Sequence, residues 1–139
     1  MVLKLHTLLF LAGLGHFAQV PSMIVAPRML GWRDDLAKLK PINHWIFLVI
    51  AGGIMLTVLG TGVVVMFSCR HLVDGGPLAV AFTGFLTVFW IYRASIQYFL
   101  YWKIWPGGFS GRGSHYALLV LFTYLAAIYT YAFVRNISF

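Results

Sequence analysis

Residues 42–68, INHWIFLVIAGGIMLTVLGTGVVVMFS, form a continuous apolar run without a single aspartate, glutamate, lysine or arginine. A helix rises about 1.5 Å per residue and a bilayer core is about 30 Å thick, so about 20 apolar residues can span it. The run does not alternate between apolar and polar residues, which favours a helix over a strand of a membrane barrel. It therefore predicts a transmembrane helix.

Three further apolar segments of similar length lie at about residues 5–26, 78–102 and 116–134. The chain is 61% hydrophobic and only 9% charged, whereas soluble domains have about a quarter charged residues. We predict one all-α integral membrane domain over residues 1–139, an antiparallel bundle of four transmembrane helices. The first segment also has the layout of a signal peptide, with Lys4 ahead of an apolar run, and we expect it to be kept as a helix.

The distribution of lysine and arginine predicts the orientation of the bundle. Six of these residues follow the first and third segments, namely Arg28, Arg33, Lys38, Lys40, Lys103 and Arg112. Three lie towards the opposite side, namely Lys4, Arg70 and Arg135. Because cytoplasmic loops are enriched in these cations, we expect both termini to be extracytoplasmic, in the inner membrane of a bacterium.

The long first loop has an amphipathic pattern. Met29, Trp32, Leu36 and Leu39 recur at spacings of three and four, which predicts a short helix lying on the cytoplasmic surface. The net charge of +7 is therefore interpreted as contact with anionic lipid headgroups and not with nucleic acid; the alternative is a solvated linker. The candidate headgroup contacts are Arg28, Trp32, Arg33, Lys38 and Lys40.

Small residues recur along the second segment. Gly53, Thr57 and Thr61 are spaced four apart, and Gly52 and Gly60 form a neighbouring row. Small residues allow transmembrane helices to approach closely. The rows serve either packing inside the bundle or docking onto another chain, and the sequence leaves both open.

Arg93 interrupts the third segment, in FWIYRASIQYF (89–99). It lies about 4–5 Å from the predicted midplane at the helical rise per residue, and intramembrane charges usually face a bundle interior, a cavity or a partner. The alternative is snorkelling to the interface. The chain has no glutamate and its aspartates lie in loops, so we expect neutral oxygens, or an anion from outside the chain, to neutralise it. The candidate binding residues in this layer are Arg93, Gln97, His16, Gln19 and Tyr92.

The histidines are candidate heme ligands. His44 and His115 begin helices at the predicted cytoplasmic interface, and His6 and His71 lie near the outer one. Each pair is placed to bind heme iron from two sides, although interfacial histidines also occur without any metal. We predict no catalytic residue and no other metal site, because the sequence lacks both Gly-x-Ser-x-Gly and His-Glu-x-x-His.

The stretches GHFAQVPSMIVAPRML (15–30), LAKLKP (36–41) and LTVLGTGVVVM (56–66) resemble small, mostly uncharacterised four-helix bacterial membrane proteins. In outline they are also similar to the group of copper-resistance D and HemJ-type protoporphyrinogen oxidase proteins. That resemblance implies a functional role for His16 and, after the proline, for Arg28. The third helix departs from the oxidase pattern, which has a lysine and a further histidine there.

Two functions remain as expectations. The first is a non-catalytic accessory subunit of a larger membrane complex, respiratory or photosynthetic, that contacts lipid, pigment or neighbouring subunits, or a second copy of itself. The second is a small redox protein that binds heme or quinone. Short loops, small-residue rows and the absence of an acidic partner for Arg93 favour the first.

Overall fold

The computed structural model describes residues 2–138, apart from the side chains of residues 2–4 and 109. These residues form helices and connecting turns, without a strand in the described range. The helices are α1 (Val2–Phe17), α2 (Val20–Met29), α3 (Trp32–Leu36), α4 (Pro41–Ser68), α5 (Pro77–Ser95), α6 (Trp102–Ile104) and α7 (Phe109–Ile137). A 3₁₀ turn (His71–Val73) precedes α5, and a π-helical segment (Ile96–Tyr101) joins α5 to α6.

Four stretches are long and apolar enough to cross a membrane. They are Leu5–Met29, Pro41–Ser68, Pro77–Ile104 and Ser110–Ile137. The prediction of an all-α, four-helix membrane bundle is thereby confirmed, and the chain has the features of an integral membrane protein.

Proline sets three of the helix boundaries. Pro41 and Pro77 are the first residues of α4 and α5, where a missing N–H leaves no hydrogen bond unmade. Pro21 causes the break between α1 and α2, because it cannot donate to the carbonyl of Phe17 one turn earlier. The first predicted helix is therefore present, but as two helical pieces joined by a turn at residues 18–19.

The last helix begins earlier than predicted, at Phe109 instead of residue 116. The glycine-rich loop turns within a few residues at Gly108, which has a φ of 90°. Gly111 already lies in the first turns of α7, against the carbonyl of Pro106, where any side chain would collide. The glycines thus permit a tight turn and a close start of the helix instead of a longer loop.

Contacts between distant parts of the chain establish an antiparallel arrangement. His6, near the start of α1, lies 2.9 Å from Cys69 at the end of α4. Asn136, near the end of α7, donates to Thr83 in α5 at 3.3 Å. The most extensive packing joins α5 to α7, followed by α1 to α4 and α1 to α7. In the bundle, α1 therefore packs between α4 and α7, and α7 packs between α1 and α5. An opening lies between α4 and α5.

α1 and α4 approach closely at Gly13 and Gly62. A methyl group on Gly62 would lie 2.8 Å from the Cβ of His16 and 3.0 Å from the carbonyl oxygen of Gly13. Small residues are what allow such an approach. The three glycines of the rows singled out in the sequence lie differently, because nothing lies within 4 Å of a methyl group placed on Gly52, Gly53 or Gly60. Whether the rows serve docking onto another chain stays a prediction.

The short helix predicted in the first loop is present as α3, and it is held against α4. Trp32 packs edge-on against Phe47, with ring centroids 4.9 Å apart, and the Nδ1 atom of His44 lies 3.0 Å from the carbonyl oxygen of Leu36. Lys38 forms an exposed ion pair with Asp35 at 2.8 Å. The loop is thus anchored to the start of α4, while its contact with lipid headgroups stays a prediction.

Candidate functional site

His16 lies in the centre of the bundle and is fully buried. Its Nδ1 atom is 2.8 Å from the carbonyl oxygen of Ala12, one turn earlier in α1. A carbonyl can only accept, so Nδ1 carries the hydrogen and Nε2 of the uncharged ring is left as an acceptor. Nε2 is buried and has no hydrogen-bond partner among the described residues.

Two aromatic side chains with polar atoms pack against the ring of His16. Trp90 of α5 meets it edge-on at a centroid distance of 5.1 Å and an interplanar angle of 83°, and Tyr129 of α7 meets it at 5.9 Å. Within the described part of the chain, the Nε1 of Trp90 and the hydroxyl of Tyr129 are also buried without a partner. Three helices therefore contribute packed rings that carry unpaired polar atoms to this part of the core.

A small cavity adjoins His16 and Trp90. Its volume is about 20 Å³, and its other walls come from Thr57, Val58 and Thr61 of α4 and from Phe85, Leu86 and Phe89 of α5. It lies in the opening between α4 and α5, where Thr57 and Phe85 are exposed. The cavity thus lies between the buried rings of His16 and Trp90 and the outer surface of the helix bundle.

A second buried polar pair lies nearer the end of the bundle that carries the first loop. The Nε2 of Gln97 is 3.0 Å from the Nδ1 of His115, and both side chains are buried. Gln97 belongs to the π-helical segment Ile96–Tyr101. It lies two helical turns after the buried Trp90 and on the same inward face, while Tyr98 and Phe99 are exposed. The Oε1 of Gln97 and the Nε2 of His115 have no partner in the described residues.

Arg93 lies half-buried on α5, with its guanidinium over the ring of Phe122 of α7, 4.7 Å from the centroid. This is the geometry of a cation–π interaction. The described contact of Arg93 is thus with an aromatic ring and not with the oxygens considered in the sequence. Tyr92 is exposed and Gln19 is buried. An aromatic face therefore provides the acceptor that the missing glutamates do not.

The four candidate heme ligands lie in different surroundings. The Nε2 of His6 contacts Cys69, whereas His71 is exposed and lies 3.7 Å from Asp74. His44 is half-buried against the loop carbonyl of Leu36, and His115 is buried beside Trp102 and Trp105. The residues described contain no group of three or more histidine, cysteine or acidic side chains placed to share a metal ion. Heme binding stays a prediction, and His115 is the member with a buried, unpaired ring nitrogen.

A larger groove separates the broken first span from α7. It has a volume of about 420 Å³ and is lined by Pro21, Ser22 and Met29 on one side and by Trp105, Ala117 and Leu121 on the other. The Nε1 of Trp105 donates to Ser114 at 3.2 Å, and the hydroxyl of Ser22 donates to the Gln19 carbonyl at 2.7 Å. Its lining is mostly apolar, as expected for a surface that faces lipid tails.

The sequence interpretation singled out His16 and Gln97 but missed the residues that surround them. Trp90, Phe122 and Tyr129 were not recognised because each lies in a segment already explained as membrane-spanning, and Asn136 was not recognised because it lies just beyond the fourth predicted segment. Asn136 carried a detectable signal, since it is the one asparagine near the end of the fourth span. It donates to the Leu72 carbonyl at 3.0 Å and to Thr83 at 3.3 Å, so it fixes the last turn of α7.

The chain was compared with models of protein families, with curated proteins and with solved structures, and no match was found. The similarity to copper-resistance D and HemJ-type proteins therefore rests on the residues quoted from the sequence alone. The functional argument rests on the geometry described above.

Proposed function

We propose that this chain is a non-catalytic subunit of a larger membrane assembly and that it docks laterally, through α4, onto another transmembrane helix. The supporting observation is a row of exposed residues on α4, on the side away from its contact with α1. We name this row the α4 seam; it consists of Val49, Gly53, Leu56, Gly60, Val63 and Phe67.

The seam has the spacing of a helix interface. Its members alternate at intervals of four and three residues, which is the heptad pattern of two helices that pack side by side. Large side chains alternate with glycine in its central part, so that each glycine leaves a hole beside a projecting neighbour. Knobs and holes of this kind, with small residues at the points of closest approach, favour association of helices in lipid.

The bundle itself leaves the seam uncovered. Leu56 is 74% exposed and Phe67 is 84% exposed, and no atom lies within 4 Å of a methyl group placed on Gly53 or Gly60. The buried residues of α4 are Val58, Gly62 and Val65, which lie on the other side of the helix. One face of α4 therefore contacts α1, and the opposite face is exposed to lipid or to a partner.

Site-specific cross-linking tests this function. Leu56→Cys is introduced into a Cys69→Ala background and compared with Val120→Cys, an α7 residue that is 69% exposed but lies outside the seam. In native membranes we expect a cross-linked product from Leu56→Cys and little from Val120→Cys. The mass of the product distinguishes a second copy of this chain from a different subunit.

Purification in mild detergent provides the second readout. We expect the chain to copurify with stoichiometric membrane partners or as a homo-oligomer. The double variant Gly53→Ile, Gly60→Ile should lose this association. The control variant Gly52→Ile should retain it, because Gly52 is equally open but lies off the seam. A chain that remains monomeric in native membranes and cross-links equally at both cysteine positions would contradict the proposal.

A second candidate, a heme-binding redox protein, is favoured by one observation. The buried Nε2 of His115 is unpaired among the described residues, and it would present a lone pair to iron if the Gln97 amide turned so that its oxygen accepted from Nδ1–H instead of its Nε2–H donating to Nδ1. The test is the absorbance of the natively purified protein. A Soret band that His115→Ala removes would favour this candidate, and colourless protein would count against it.

A further inference from the structure

The guanidinium group of Arg93 lies near the middle of the membrane-spanning region. Arg93 is about 4 Å along the helix axis from the midpoint of the span Pro77–Ile104. Its guanidinium carbon is 4.7 Å from the ring centroid of Phe122, and Phe122 is about 2 Å from the midpoint of the span Ser110–Ile137. The charged group is therefore held across the contact between α5 and α7 and does not extend along α5 to an interface.

The N–H donors of this guanidinium are unused within the described part of the chain. Its described contact is the ring of Phe122, without a hydrogen bond or an ion pair among the described residues. Arg93 is half-buried, and its nitrogens are not among the enclosed, unpaired polar atoms, so they reach the surface of the bundle. A ring face attracts a cation, but it carries no negative charge and leaves the N–H edge of the group free.

The sequence excludes an acidic partner for Arg93 within the four spans. None of them contains aspartate or glutamate, so a second copy of this chain supplies no carboxylate at this depth through these spans. Lipid phosphates lie outside a core about 30 Å thick, which places them about 10 Å from a guanidinium held near its middle. An acidic side chain on a transmembrane helix of a different protein reaches this depth, where charged residues usually pair with one another.

We propose that Arg93 pairs with an aspartate or glutamate near the middle of a transmembrane helix of a different subunit. A carboxylate accepts two parallel hydrogen bonds from a guanidinium fork, and the ring of Phe122 leaves that edge open. The inference rests on the proposed function, because it requires an assembly of subunits. It adds the chemistry of the partner, which is acidic within its span and is not a copy of this chain.

The partner helix is placed along the opening between α4 and α5. Phe85, Phe89 and Arg93 are spaced four apart and follow one another along one side of α5, and the first two line this opening. Across the opening lie Thr57 and Thr61 of α4, whose small side chains permit a close approach. A helix along this opening would contact the aromatic residues of α5 and meet the charge at Arg93.

Photo-cross-linking of the complete chain in native membranes tests the chemistry of the partner. Phe85, which is 58% exposed, is replaced by the photoreactive residue p-benzoylphenylalanine, and the attached peptide is sequenced by mass spectrometry. We expect the peptide to come from a different chain and to lie in a transmembrane segment with aspartate or glutamate near its middle. Attachment to a second copy of this chain, to a segment without an acidic residue, or to lipid alone would overturn the proposal.

Arg93→Gln in the same photoreactive chain tests the dependence on the charge. We expect the yield of the cross-linked product to fall by about tenfold or more, because the carboxylate is left without its partner. Arg112→Gln is the matched control, since it removes an exposed cation in the first turns of α7 and should leave the yield unchanged. Far-ultraviolet circular dichroism checks that both variants are helical. Equal yields with and without Arg93 would contradict the pairing, and if Arg93→Gln does not fold, the sequence of the attached peptide decides.

The cysteine cross-link at Leu56 tests the proposed function separately. A product at Leu56, together with an acid-free or absent product at Phe85, supports docking through the α4 seam and overturns the pairing of Arg93. An acidic partner at Phe85 without a product at Leu56 supports the pairing and contradicts docking through the seam. The absence of a product at both positions overturns both proposals.

Discussion

Replacing Gly62 by alanine tests the contact that holds α1 against α4. The added methyl group would lie 2.8 Å from the Cβ of His16, 3.0 Å from the carbonyl oxygen of Gly13 and 3.1 Å from the ring of Phe17. Two of these atoms belong to the backbone or lie directly on it, so they cannot move away without a shift of a helix. Overpacking of this kind costs about 1–3 kcal/mol.

Gly52→Ala in the same helix serves as the control from which the overpacking free energy of Gly62→Ala is obtained. Both substitutions replace glycine by alanine in a helix interior, which favours folding by about 0.8–1.0 kcal/mol, but nothing lies within 4 Å of the new methyl group at Gly52. We expect Gly52→Ala to be neutral or stabilising. Gly62→Ala should be less stable than Gly52→Ala by about 1–3 kcal/mol, the full overpacking term.

The assay is reversible unfolding in mixed detergent micelles, followed by far-ultraviolet circular dichroism during a titration with sodium dodecyl sulfate. The measured quantity is the difference in the free energy of unfolding between the two variants. Equal free energies for Gly62→Ala and Gly52→Ala would refute the close approach of α1 and α4, and with it the placement of His16 beside α4.

Three further experiments test polar contacts of the core by the same unfolding titration. Asn136→Ala removes the bonds to Leu72 and Thr83 and should cost about 1–3 kcal/mol, because a buried acceptor is left unpaired; no loss would contradict that contact. A double-mutant cycle of Arg93→Met with Phe122→Leu should give a coupling of about 0.5–2 kcal/mol, the range for a cation–π pair, and additive effects would argue against it. Gln97→Leu leaves the Nδ1 of His115 unpaired and should cost about 1–3 kcal/mol, with a changed ¹⁵N shift of that nitrogen as a second readout.

The spans could be predicted because lipid imposes a simple rule on them. Any continuous apolar run of sufficient length must form a helix there, and the run at 42–68 corresponds to α4 almost residue for residue. The interior of the bundle could not be predicted in the same way. Its helices are apolar on all sides, so no periodic pattern separates the face of α4 that meets α1 from the face that meets lipid.

The glycines illustrate this limit. Gly60 and Gly62 are two residues apart and chemically identical, yet one is open on all sides and the other touches His16 and the Gly13 carbonyl. Which of them packs depends on the rotation of α4 about its axis, which is fixed by tertiary contacts. The π-helical segment Ile96–Tyr101 adds a second change of rotation that the sequence does not signal. It affects the residues after Gln97, because Gln97 itself still lies on the inward face that a regular helix predicts from Trp90.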